Sequence, residues 1–205
     1  DATLGQWRKR GLMKLVKLNK NVYKLKIKKG MNKTNYLTFS GVLMALAGVV
    51  MLTSESIGVA YAKVLVPAFF FIGGVFAYLF SAANPQHAIA KQYHLLQGAG
   101  MAIFAIIIAT VPKNLGEFLM YVTYFMGVFG LLELLFAFMA LNKGGKLNMS
   151  ILLTRFIAGF TNLIGSVLIL ATSVTDELSG LMIAGVLVLL GGIAFIMFSF
   201  RIRKI

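Results

Sequence analysis

Six long apolar stretches fill this chain from about residue 36 to residue 200, and short polar turns separate them. Each stretch runs for roughly 17 to 23 residues, the length that a helix needs to cross the hydrocarbon core of a bilayer. They begin near Tyr36, Val64, Leu95, Phe118, Ile151 and Leu181. Six crossings within 205 residues leave no room for a soluble catalytic domain.

The composition fits a membrane protein, with 59% hydrophobic residues and a mean hydropathy of +0.86. A backbone in lipid must satisfy its own hydrogen bonds, and the stretches show no alternation, so they predict helices and not barrel strands. The fold class that follows is all-α: an integral membrane bundle of six helices over residues 31–205. The chain has no cysteine, which excludes disulfides and thiolate metal sites.

Basic residues are concentrated at alternate turns, and their placement predicts the orientation. One side carries the N-terminal segment with Lys91, Lys143, Lys146, Arg201, Arg203 and Lys204. The opposite turns carry only two basic residues beside four acidic ones, namely Lys63 and Lys113 with Glu55, Glu117, Asp176 and Glu177. We therefore expect a multi-pass protein of the cell inner (cytoplasmic) membrane, with both termini in the cytoplasm.

Residues 1–30 form a basic N-terminal extension that differs in kind from the remainder. Eleven of the twenty basic residues lie between Arg8 and Lys33. The spacing of the apolar residues suits a basic amphipathic helix on anionic lipid headgroups, whereas residues 23–28 alternate as a strand would. A third interpretation is that the extension is dispensable and that the chain proper starts at Met31. Nucleic-acid binding is not expected, because a basic run beside a membrane span already has a sufficient explanation.

Small residues recur on one face of most stretches, as in helices whose backbones approach closely. Gly116 precedes Gly127 by eleven residues, and Gly180 precedes Gly191 by the same interval. We interpret the six segments as three repeated helical hairpins in parallel orientation. The glycines assigned to helix packing are Gly41, Gly48, Gly73, Gly98, Gly127, Gly130, Gly185 and Gly192.

Glu133 is the one acidic residue deep in a predicted span, and Arg155 lies at a similar depth in the next span. Placing an unpaired charge in the hydrocarbon core costs free energy, so the two are expected to form an intramembrane polar pair. Gln97 and Asn162 are possible polar neighbours of that pair. Three roles are open for the pair. It joins one hairpin to the next, or Glu133 carries protons or ions, or Arg155 binds a lipid headgroup.

Other chemistry is not indicated. His87, Lys91 and His94 share a helical spacing, but two histidines beside a lysine make a poor metal site. A solvated turn is the simpler interpretation, with a pair that senses cytoplasmic pH as the alternative.

Pro67 and Pro112 are expected at helix ends. No phosphate loop, nucleophile elbow or paired carboxylate is present, so we expect neither an enzyme nor a bound metal or cofactor.

Three glycine-marked hairpins resemble the HdeD-like family (DUF308) of small bacterial membrane proteins. The resemblance covers about residues 36–204 and rests on the segment GVLMALAG at 41–48 and on the glycines at 116–130 and 180–192. Proline in an outer turn of that family is matched by Pro112, whereas the first and third outer turns have no proline. The resemblance implies a role in acid stress and supplies no catalytic residues.

Two functions follow as expectations. The first is a non-enzymatic inner-membrane protein that acts in stress tolerance or as an accessory subunit of a membrane complex. The second is a small-solute or proton-coupled transporter or channel that uses Glu133 and Arg155. The expected partners are the lipid bilayer, anionic headgroups near the basic segment, and either a second copy or another membrane protein.

Overall fold

A computed structural model describes residues 33–83, 88–142 and 149–202. Seven helices occupy these residues: α1 (Lys33–Leu52), α2 (Ser54–Ile57), α3 (Val59–Ala83), α4 (Ala88–Thr110), α5 (Leu115–Asn142), α6 (Met149–Ser173) and α7 (Glu177–Ile202). Six of them are long and apolar enough to cross a membrane, and α2 is a single turn. The all-α class and the six spanning helices are confirmed for this part of the chain. The basic extension predicted at 1–30 lies outside it.

The spanning helices begin before the apolar stretches that predicted them. The largest difference is in α4, which begins at Ala88 although its apolar stretch starts near Leu95. The expectation for Pro67 was wrong, because this residue lies two turns inside α3 and is buried. A proline there removes one hydrogen bond of the helix, and membrane helices tolerate this where neighbouring groups satisfy the freed carbonyl.

The six long helices form a closed ring in chain order. Each packs against its neighbours along the chain, and α1 packs against α7. Most of the interior of the ring is apolar, with Leu37, Phe70, Met101 and Phe125 all at most 2% exposed. The outer surface carries large apolar side chains from every long helix, as expected where lipid replaces water. We call the end of the ring at which α1 begins and α7 ends the terminal end.

Three of the helix contacts bring glycines directly against backbone, and we call them glycine seams. The first joins α1 to α7 through Gly41, Gly48, Gly185 and Gly192. A Cβ atom added to Gly192 would lie 2.4 Å from the backbone nitrogen of Ala45. One added to Gly48 would lie 2.5 Å from the backbone nitrogen of Leu189. The two helices approach this closely because no side chain stands between their backbones.

The second seam joins α3 to α4 at Gly74 and Gly98, and the third joins α5 to α6 at Gly130 and Gly159. A Cβ atom at Gly74 would lie 2.8 Å from the carbonyl oxygen of Gly98, and one at Gly130 would lie 2.8 Å from that of Gly159. Each seam joins helices of two different predicted hairpins, and none joins the two helices within one hairpin. The hairpin repeat itself stays a prediction.

Two of the glycines assigned to packing have a different environment. The nearest atom to a Cβ at Gly73 would be the flexible end of Met101, at 3.2 Å, and at Gly127 the hydroxyl of Ser166, at 3.5 Å. Beside Gly73, the unassigned Gly74 makes the backbone contact, and on α5 it is Gly130, facing the unassigned Gly159 of α6, that does so in place of Gly127.

Asp176 caps the start of α7, at the end of the ring opposite the terminal end. Its carboxylate accepts hydrogen bonds from the Ser179 hydroxyl and from the backbone N–H of Leu178. The bond from Ser179, then the one from Leu178, lowers the pKa of Asp176 below its ordinary value of 3.8. A carboxylate whose pKa is lower in the folded state stabilises that state above its unfolded pKa.

We expect Asp176→Ala to lower the thermal unfolding midpoint in detergent, because α7 loses its cap. In the native protein, the part of the stability that comes from Asp176 should vanish as the pH falls below 3.8. Asp176→Asn keeps an oxygen acceptor for the cap and should retain most of the midpoint without this pH dependence. An Asp176→Ala midpoint equal to that of the native protein near neutral pH would contradict the capping role.

Candidate functional site

Glu133 on α5 and Arg155 on α6 form a buried ion pair in the half of the bundle near the terminal end. Nη1 of Arg155 donates hydrogen bonds to both carboxylate oxygens of Glu133, at 2.7 and 2.8 Å. The two side chains are only 7% and 4% exposed. The structure therefore brings together the two intramembrane charges that the sequence singled out.

Tyr93 on α4 is a third member of this site, and the sequence analysis did not identify it. Its hydroxyl donates a hydrogen bond to Glu133 and accepts one of 2.9 Å from Arg155. The signal that could have found it is depth, because Tyr93 lies one and a half turns inside α4, much as Arg155 does in α6. The network thus connects three consecutive helices at one level.

Aromatic rings enclose the guanidinium group of Arg155. Its central carbon lies 4.2 Å from the ring centre of Phe198 on α7, 4.6 Å from that of Tyr93 and 5.4 Å from that of Phe136. Faces of aromatic rings attract cations, and the attraction is larger where water is excluded. Together with the carboxylate, these rings replace the hydration that a charge loses in a membrane.

His94 lies in the interior of the ring, so the expectation of a solvated turn was wrong for this residue. His94 is 1% exposed, and its Nδ1 lies 3.0 Å from the side-chain oxygen of Gln97. The rings of Phe80 and Tyr93 pack against it edge-on. Lys91 is exposed, and His87 lies outside the described residues.

Gln97 therefore bonds to His94 and not to the ion pair. Its amide nitrogen is buried and has no hydrogen-bond partner in the described part of the chain. Within residues 33–83, 88–142 and 149–202, no group of three His, Cys, Asp or Glu side chains comes close enough to hold a metal ion.

A cavity of about 50 Å³ adjoins the ion pair. Glu133 and Arg155 line it near the terminal end, and Asn162 lines it toward the middle of α6. Most of the other lining residues are apolar and come from α1, α5, α6 and α7. Asn162, predicted as a polar neighbour of the pair, thus shares a cavity with it. The adjacent Thr161 is exposed on the outer surface of the bundle.

The chemistry that this arrangement offers is limited. The pair carries no net charge, and Tyr93 and Arg155 already occupy the Glu133 carboxylate. Each water-sized group needs roughly 10–15 Å³ of such space, so the cavity holds only a few.

We compared the chain with models of protein families, with curated proteins and with solved structures, and none of them matches it.

Proposed function

We propose that this chain is a non-enzymatic, multi-pass protein of the inner membrane that acts in stress tolerance or as an accessory subunit of a membrane complex. In this proposal both termini are cytoplasmic, so the terminal end faces the cytoplasm. The distribution of lysine and arginine among the turns supports that orientation. The resemblance to the HdeD-like family supports a role in acid stress.

One observation carries the non-enzymatic, non-transporting part of the proposal: protein groups already hold the Glu133 carboxylate. Arg155 binds both of its oxygens, Tyr93 binds one of them, and Glu133 is 3% exposed. A carboxylate that carries protons or ions must exchange partners during the cycle, whereas this one is held by charge-assisted hydrogen bonds. The network accordingly serves to hold α4, α5 and α6 together.

Transport remains the second candidate, and the cavity is the observation that favours it. Glu133 and Arg155 both line that cavity, so a proton or a small solute has a short route to the pair. Its volume of about 50 Å³ is too small for a solvated solute, and transport would need the helices to separate.

Complementation of acid survival separates the two candidates. We expect cells without the protein to lose viability at low pH, and the native chain to restore it. The double variant Glu133→Leu/Arg155→Met should restore survival as well, because it removes both charges together and keeps the bundle folded. A double variant that is present at native levels but fails to restore survival would contradict a purely structural pair.

Proteoliposomes with a pH-sensitive dye inside provide the matching control. Liposomes that contain the native protein or Glu133→Gln should leak protons no faster than liposomes without protein. If the native protein conducted protons and Glu133→Gln abolished the flux, the transport candidate would replace the proposal.

A further inference from the structure

The cavity beside the ion pair is least enclosed on the side lined by α6 and α7. Its walls on α1 and α5 are buried, including Met44 and Phe129. Its lining residues Ala158 on α6 and Gly191 and Ala194 on α7 are only partly buried. These three side chains are small or absent, so they leave a gap between the helices. Of the six spanning helices, α6 is the least buried.

This opening faces hydrocarbon and not water. Near the terminal end, the ring of Phe198 covers Arg155 at 4.2 Å. At the other end α6 meets α7, where a Cβ at Gly165 would lie 2.4 Å from a methyl carbon of Leu187. Asn162 lies close to the middle of α6, about 10 Å along the helix from Arg155 at about 1.5 Å per residue. A molecule that enters must come through the lipid.

The polar groups of the cavity suit an uncharged acceptor. Glu133 repels an anion and Arg155 attracts it. Because the two charges neutralise each other, the cavity wall does not favour an anionic ligand. The Asn162 amide carries two N–H donors, and no hydrogen bond to it is found within the described residues. Nε of Arg155, which is buried, also lacks a partner among them. A hydrogen bond from the amide to an acceptor removes the free-energy cost of leaving its N–H groups unpaired in hydrocarbon.

We propose that this cleft binds a lipid-soluble molecule with a compact, uncharged carbonyl head and an apolar tail. The carbonyl oxygen accepts a hydrogen bond from the Asn162 amide, the head occupies the cavity, and the tail leaves between α6 and α7 into the bilayer. A volume of about 50 Å³ admits a head of a few heavy atoms or the edge of one ring. This binding goes beyond the proposed function and does not depend on whether the ion pair is structural.

Three probes of similar size test the chemistry of the head: a decyl-substituted benzoquinone, decylbenzene and decanoate. The readout is the thermal unfolding midpoint of the full chain in detergent, measured by circular dichroism over a range of probe concentrations. A molecule that binds only the folded state raises the midpoint as its concentration rises. We expect the quinone to raise it by several degrees, and the other two to raise it little.

Two variants test the location. Asn162→Leu keeps the volume and removes the amide, and we expect it to weaken quinone binding by about tenfold, the loss of one buried hydrogen bond. Gly191→Leu should abolish the shift, because a Cβ there is tolerated, in ordinary van der Waals contact 3.7 Å from the end of Met44, and the rest of the longer side chain fills the cleft. Thr161→Val is the matched control on the exposed side of α6 and should bind like the native protein.

Each alternative outcome is distinct. Equal shifts with the quinone and with decylbenzene would mean that the cleft accepts any hydrocarbon chain, and the proposal would fall. A larger shift with decanoate would indicate an anionic headgroup site and would also overturn it. Equal quinone binding by Asn162→Leu and Thr161→Val would show that the amide is not the donor. Because midpoints without probe are recorded for every variant, loss of folding is separated from loss of binding.

Discussion

Replacing Glu133 with Leu should destabilise the bundle by about 3–5 kcal/mol, the range observed when one partner of a buried ion pair is removed. The substitution leaves the guanidinium group of Arg155 inside the membrane with only the Tyr93 hydroxyl and aromatic rings near it. Unfolding in mixed micelles, followed by circular dichroism, measures this loss. In cells, the same variant should be present at much lower levels than the native chain.

The double variant Glu133→Leu/Arg155→Met is the decisive companion. It also replaces the second charge, by an unbranched apolar side chain, and we expect it to recover most of the lost stability. Glu55→Gln is the control for loss of an acidic residue, because Glu55 is exposed. This substitution should change the free energy of unfolding by less than about 0.5 kcal/mol. If the double variant were no more stable than Glu133→Leu, the two charges would not act as a pair.

Adjacent glycines on α7 should respond in opposite ways to the same substitution. Gly192→Ala places a methyl group 2.4 Å from the backbone nitrogen of Ala45, and no rotamer change can move a backbone atom aside. We expect the seam between α1 and α7 to open, with a loss of about 2–3 kcal/mol, the upper part of the range for overpacking. Since this seam closes the ring, the loss should affect the whole bundle.

Gly191→Ala is the matched control, because its methyl group would meet only the end of Met44, at 3.7 Å. Alanine is the better helix former, so this variant should be neutral or more stable by up to about 1 kcal/mol. The same unfolding assay compares the two. Similar effects of Gly191→Ala and Gly192→Ala would refute the view that backbone contact at the seam, and not glycine content, sets the stability.

The prediction of the bundle depended on local properties of the chain. Length and hydropathy identified all six spanning helices, because a helix must bridge a fixed thickness of hydrocarbon with its own backbone bonds satisfied. Depth along two adjoining helices was enough to place Glu133 near Arg155. The start of α4 differs from the predicted one because polar residues precede Leu95, and the structure buries one of them, His94, beside Gln97.

The sequence by itself determined that this protein is an all-α bundle with six apolar helices and one acidic residue deep among them. Only the tertiary structure decided which of two adjacent glycines faces a neighbouring backbone, as with Gly73 and Gly74. Consecutive residues point about 100° apart around a helix, and the rotation of each helix is set by its neighbours. The same contacts put Tyr93 against the ion pair and left the gap between α6 and α7, because both depend on residues far apart in the chain.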